Sequence, residues 1–131
     1  MKTYALMAAV LAFALVTYTD AGAQSAAASD HFVQVTVVDG KIKVDPDTLP
    51  VKGKNATIFW VLQTDGCTFP EDAIVFKSAT NDQFFDGQTQ ANGRKYHLKD
   101  KNTVLNSFSY TIKVMMGTKP LQLDPTIKNQ G

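Results

Sequence analysis

The sequence predicts an all-β fold, a single antiparallel β-sandwich carried behind an N-terminal secretory signal peptide. Three observations predict it. The first is a leader with the order of a targeting segment. The second is an apolar pattern of period two rather than 3.6. The third is the regular recurrence of turn residues between short apolar runs.

The leader begins with the positive charge of Lys2 and continues through the uncharged run Ala5 to Val16. It ends in the small residues Ala21-Gly22-Ala23. That order predicts a signal peptide over 1–23 with cleavage after Ala23. The apolar run is shorter than the roughly 20 residues of a spanning helix, so no membrane span is expected after processing. Residues 24–30 (QSAAASD) read as a flexible lead-in, and 31–131 as the sandwich domain. A mature chain of about 108 residues is long enough for one hydrophobic core.

Along the domain, His31 to Val38 sets Val33, Val35 and Val37 on one face. Thr57 to Thr64 sets Ile58, Trp60 and Leu62 on one face and Phe59 and Val61 on the other, the mark of a central strand. Ser107 to Met115 alternates most clearly, with Phe108, Tyr110, Ile112 and Val114 opposed to Ser109, Thr111 and Lys113. Successive side chains leave opposite faces of a pleated strand, so this is the pattern of half-buried β structure. Shorter strands are expected at Lys41 to Val44, Ala73 to Phe76, Tyr96 to Lys99 and Leu121 to Asp124. Asp39-Gly40, Asp45-Pro46-Asp47, Asp65-Gly66, Asn92-Gly93 and Gly117-Thr118-Lys119-Pro120 supply the turns. Only Ser78 to Phe85 has the spacing for a helical turn or two.

The runs IKVDPDTLPVKGKNATIFWVLQT, TFPEDAIVF and LNSFSYTIKV resemble the layout of cupredoxin-like Greek-key sandwiches; an immunoglobulin-like sandwich is the alternative architecture. The chain also resembles the small bacterial secreted DP-EP proteins, through Val44-Asp45-Pro46-Asp47 and Pro120 to Ile127. The first resemblance implies the fold; the second implies no known activity. Type-1 copper sites of cupredoxins need two His, one Cys and usually Met. The corresponding loop here, Met115 to Pro120, has thioethers but neither Cys nor His. The type-1 ligand set is therefore missing. The alternative reading is a copper-handling or electron-transfer protein with a non-standard soft-ligand site drawn from Met115, Met116, Cys67, His31 or His97.

No other constellation carries chemistry. His97 beside Asp100 lacks a nucleophile, and Glu71 and Asp72 are adjacent, so an extended chain points them apart. Asp45, Asp47, Asp82 and Asp86 form no calcium loop, and Asn55-Ala56-Thr57 matches a glycosylation sequon. No catalytic, cofactor-binding or metal residue is assigned, and the expected function is a non-enzymatic exported domain, periplasmic or extracellular, that binds an unknown protein or small ligand or serves in an envelope assembly. A formal net charge of +1 gives no field to draw nucleic acid. The expected contact loops run from Thr64 to Asp72 and from Ala79 to Arg94; there Phe84-Phe85 reads as two rings that cap the open end of the sandwich, the alternative being one ring buried and the other exposed as part of a binding face. The lone Cys67 is either a buried filler or a thiol able to link two chains, so the chain is expected to be a monomer or weak dimer. Asp100-Lys101-Asn102 ahead of Tyr110 resembles a tyrosine corner.

Central burial of Trp60 is the expectation that most exposes the fold to test. Trp60→Ala is expected to cost about 3–5 kcal/mol, read as a lowered denaturant midpoint.

Overall fold

The computed structural model describes residues 29–131, so the signal-peptide reading and most of the lead-in lie outside the described residues. Eleven strands make up the described fold: β1 (Asp30–Val38), β2 (Lys41–Asp45), β3 (Thr48–Val51), β4 (Ala56–Leu62), β5 (Cys67–Thr68), β6 (Ile74–Phe76), β7 (Phe84–Gln90), β8 (Lys95–Asp100), β9 (Ser107–Met116), β10 (Lys119–Leu123) and β11 (Thr126–Asn129). One sheet has the order β2-β1-β4-β8-β7. In the other, β9 is flanked on one side by β5 and β6 and on the other by β10 and β11, with β3 beyond β11. Leu123 opposes Ile112 and Thr126 opposes Ser109, so β10 and β11 keep one register along β9 across the break at Asp124-Pro125.

The all-β expectation holds, but the sheets are mixed rather than antiparallel. β1 pairs β4 in parallel, and β11 pairs β3 in parallel. The reason is topological. After the β1–β2 hairpin, turned at Asp39 (φ 54) and Gly40 (φ 72), the chain crosses to the other sheet as β3. It then returns as β4 on the far side of β1, running the same way. Turn residues mark where a strand ends, not which sheet receives the next one. Ser78 to Phe85 is likewise not helical: Phe84 already opens β7. The short elements TLPV, CT and TIKN escape a pattern search because two to four residues carry too little alternation.

The core lies between the sheets. Val33, Val35, Ile58, Trp60, Tyr110, Ile112, Val114 and Ile127 are all fully buried. Trp60 Nε1 donates to the Tyr110 hydroxyl at 3.0 Å, joining β4 of one sheet to β9 of the other. Their rings meet edge-on at 5.6 Å, and Tyr96 closes on Trp60 at 6.1 Å. The Tyr110 hydroxyl is thus spent on the indole rather than on a tyrosine corner, and burial pushes its pKa far above the usual phenol value. Phe84 turns inward to stack on Phe76 at 4.1 Å, while Phe85 faces outward.

Arg94 organises the long connection after β4. Its guanidinium donates to the carbonyls of Thr64 at 2.7 Å, Cys67 at 2.6 Å and Leu62 at 3.2 Å. At the opposite end of β8 four polar side chains are buried together: Gln83, Asp100, Asn102 and Asn129. Asn102 Nδ2 donates to the Val51 and Gly53 carbonyls, both at 3.0 Å. Gln83 Oε1 accepts from the N–H groups of Thr103 at 2.8 Å and Val104 at 3.0 Å.

Tyr110→Phe conserves the ring but strands a buried indole N–H. Such an orphan costs about 1–3 kcal/mol. Chemical denaturation followed by tryptophan fluorescence is expected to show that loss, with little change in the folded-state circular dichroism.

Candidate functional site: the outer face of the five-stranded sheet

The two outer faces differ in kind. On the six-stranded sheet the outward residues of β9 are Ser107, Ser109, Thr111, Lys113 and Met115. Two ion pairs form there: Lys113 Nζ lies 2.8 Å from Asp72, and Lys77 Nζ lies 3.1 Å from Asp124. The Lys113 ammonium holds the Asp72 carboxyl below the usual range. The Thr111 hydroxyl and Lys77 do the same for Asp124.

The five-stranded sheet presents aromatics instead. Phe32 of β1 is opposite Phe59 of β4, Phe59 is opposite His97 of β8, and His97 is opposite Gln88 of β7. The four form one row that crosses the strands at right angles. Phe32 and Phe59 stack at 5.1 Å, with rings 16° from parallel. His97 meets Phe59 edge-on at 6.3 Å. Phe32 is 51% exposed, which is unusual for a phenylalanine in a strand interior.

β8 adds charge to this row. Lys95, His97 and Lys99 alternate outward along it, and the Lys95 ammonium sits 5.1 Å from the centre of the Phe59 ring. Neither lysine has a carboxylate within 4 Å among the described residues. Asp30 and Asp45 lie on the β1–β2 side of the face. Where the row reaches β7, a pocket of about 590 Å³ opens, lined by Asp86, Gly87, Gln88, His97 and Lys99.

The pocket exists because β7 is bulged. Its register against β8 shifts between Phe85 and Gln88, and Asp86 takes a left-handed φ of 56 there. Gly87 is required at this point for space: a Cβ on it would strike the Tyr96 hydroxyl and lie 3.2 Å from Leu98 Cδ1. The buried Tyr96 ring thus shapes the outer pocket from below.

The residues weighed as copper ligands do not gather. Cys67 and Met116 oppose each other across β5 and β9, and both pack at the core, Cys67 with 1% of its surface exposed. Met115 points to the other side of β9. His97 lies on the outer face of the five-stranded sheet, and His31 Nε2 sits 3.0 Å from the Lys52 carbonyl oxygen. Among the described residues, no three His, Cys, Asp or Glu side chains lie close enough to share a metal ion. Glu71 and Asp72 lie in a turn rather than an extended segment, and still part company, Asp72 to Lys113 and Glu71 to a separate pocket of about 480 Å³ along the β7 edge. Of the two expected contact loops, Ala79 to Arg94 contains β7 and one wall of the pocket, the other wall being His97 and Lys99 of β8, whereas Thr64 to Asp72 is fastened down by Arg94.

Sequence reasoning passed over Phe32 and Phe59 as part of this surface. The signal was present in HFVQVTVV, where a large aromatic falls on the phase opposite to the buried valines. The chain matches no protein-family model, and a search of curated proteins finds no significant match.

Gly87→Ala is expected to lower stability by about 1–3 kcal/mol through overpacking against Tyr96. The check is a denaturant melt, together with the tyrosine-region near-ultraviolet circular dichroism.

Proposed function

We propose that this chain is an exported, non-enzymatic binding domain of cupredoxin-like Greek-key architecture, and that it takes an acidic polysaccharide on the outer face of its five-stranded sheet. The observation that carries the reading is the Phe32–Phe59–His97–Gln88 row beside the unpaired cations Lys95 and Lys99.

Two arguments favour a glycan over a peptide. The row runs across the strands, so a ligand lying along it meets side chains rather than a strand edge. A peptide there gains no ladder hydrogen bonds and leaves its amides unpaired over aromatic rings. A sugar ring has an apolar C–H face to lay on phenylalanine and a rim of hydroxyls that the Gln88, His97 and Asp86 side chains can meet. The lysines supply the reason for acidity, since a uronate carboxylate gives each an ion pair. Export rests on the leader over 1–23, and the non-enzymatic reading on a sequence without a recognisable catalytic motif. The copper alternative has less support, because Cys67 and Met116 are a pair of soft atoms without an imidazole beside them.

The test is titration of the purified protein with oligogalacturonate, with neutral cello-oligosaccharide and polyglutamate as comparisons. Oligogalacturonate is expected to bind saturably and more weakly as salt rises. Phe32→Ala, which removes a half-exposed ring, is expected to weaken it about tenfold or more, the equivalent of about 1.4 kcal/mol. No binding of the acidic glycan, or equal binding of polyglutamate, overturns the ligand class. A mature N-terminus at Gln24 is expected for the exported protein; an N-terminus still at Met1 overturns the export reading.

A further inference from the structure

The buried polar group at the end of β8 contains an unbalanced pair. Asp100 Oδ1 accepts from the Asn102 N–H at 2.9 Å and from Asn129 Nδ2 at 3.1 Å. The other oxygen of each group, Asp100 Oδ2 and Asn129 Oδ1, is buried with no hydrogen-bond partner among the described residues. Were Asp100 ionised, both would be acceptors facing a shortage of donors. An interior of low dielectric strongly disfavours such an arrangement. A carboxyl and a carboxamide are planar forks of the same size, already joined at one pair of tips. A single proton satisfies the second pair.

We propose that Asp100 is protonated in the folded protein and that its Oδ2–H donates to Asn129 Oδ1, closing a two-bond acid–amide ring that fastens the end of β11 to the end of β8. No cation competes for the role: the ion pairs among the described residues involve Asp65, Asp72 and Asp124, not Asp100. Burial is the main influence on this carboxyl and raises its pKa, while the two hydrogen bonds to Oδ1 and the charge of His31 on β1 oppose the rise. The other charged side chains on the surrounding segments are exposed to solvent: Lys52 and Lys54 after β3, Asp82 before β7, Lys99 and Lys101 on either side of Asp100, and Lys128 on β11. The Gly131 N–H donates to Asn102 Oδ1 at 3.2 Å, which brings the last described residue to the same polar group.

The sign of the resulting pH dependence follows. An unfolded aspartate titrates near 3.9. Because the folded value is raised, the contribution of this ring is complete below about 4 and is lost as pH climbs through the native pKa of Asp100. The exposed pairs at Asp72 and Asp124 have lowered values and behave in the opposite sense, failing as the pH falls.

Carbon-detected NMR titration of the aspartate carboxyls in the purified protein tests the proposal directly, and Asp100→Asn tests it by substitution. An amide N–H then stands where the acid O–H is placed. The Asp100 carboxyl is expected to titrate above the ordinary aspartate value. The melting temperature of the unaltered protein is expected to fall relative to that of Asp100→Asn as pH rises from about 4 through that midpoint. A carboxyl that titrates at or below the ordinary value overturns the proposal, since the oxygen is then ionised and served by water or a cation. An Asp100→Asn melting temperature that stays parallel to the unaltered protein throughout this range overturns it as well. If Asp100→Asn does not fold, the carboxyl titration alone decides.

Discussion

The hydrogen bond from the Trp60 indole to the Tyr110 hydroxyl is the constraint on which the two-layer arrangement depends. Each ring is large enough to anchor a core, and each brings a polar atom that must find a partner once water is excluded. Neither finds it in its own sheet. The indole N–H of β4 and the phenol of β9 satisfy each other across the gap, which sets the phase of both strands at once. A one-residue slip of either strand would send its whole apolar set to the outer face. With the phase of β4 set, Phe59 and Val61 must face out, and with β9 set, Met115 must do the same. The aromatic outer row is therefore a consequence of how the inner layer is locked.

How much of this was legible in the chain depends on the length of the pattern. The alternation of Ser107 to Val114 in β9 and the seven apolar-rich residues of β4 announce themselves, and both strands stand within a residue or two of where periodicity places them. β3, β5 and β11 are made by their partners rather than by their own composition. Thr126 to Asn129 becomes a strand because Ser107 to Ser109 and Thr48 to Val51 offer it hydrogen bonds on both sides. The parallel pairings were illegible for a related reason: direction is decided by the crossover, and a crossover has no local signature. For the site, the inward–outward phase of each strand could be read, but the coincidence of Phe32, Phe59, His97 and Gln88 in one row could not. That row needs three registers from four strands drawn from distant parts of the chain.

The two ends of β8 show two ways of handling polar groups inside an apolar layer. At one end Arg94 keeps its charge and spends it on three backbone carbonyls that a long connection would otherwise leave bare. At the other, Gln83, Asp100, Asn102 and Asn129 satisfy loop backbone with short neutral forks. The first fixes the approach to β5; the second gathers the β3–β4 turn, the start of β7 and the C-terminus around one strand end. Between them lies the stretch that carries Lys95, His97 and Lys99, so the outer stripe rides on a strand clamped at both ends.

The outermost strands share a property that bears on self-association. An uncovered strand edge is a template for another chain. Here β3 carries Pro50 and β10 carries Pro120, each lacking the N–H that a newcomer would need. β7 bends away at its bulge, and β2 sets Lys41 and Lys43 along its side. Four of the strand edges are therefore blunted, by proline, by a bulge or by charge; only the short strands β5 and β6 bound the remaining side of the six-stranded sheet. Along β2, β3, β7 and β10, crowded copies of this molecule meet borders on which a continuous intermolecular ribbon cannot readily grow.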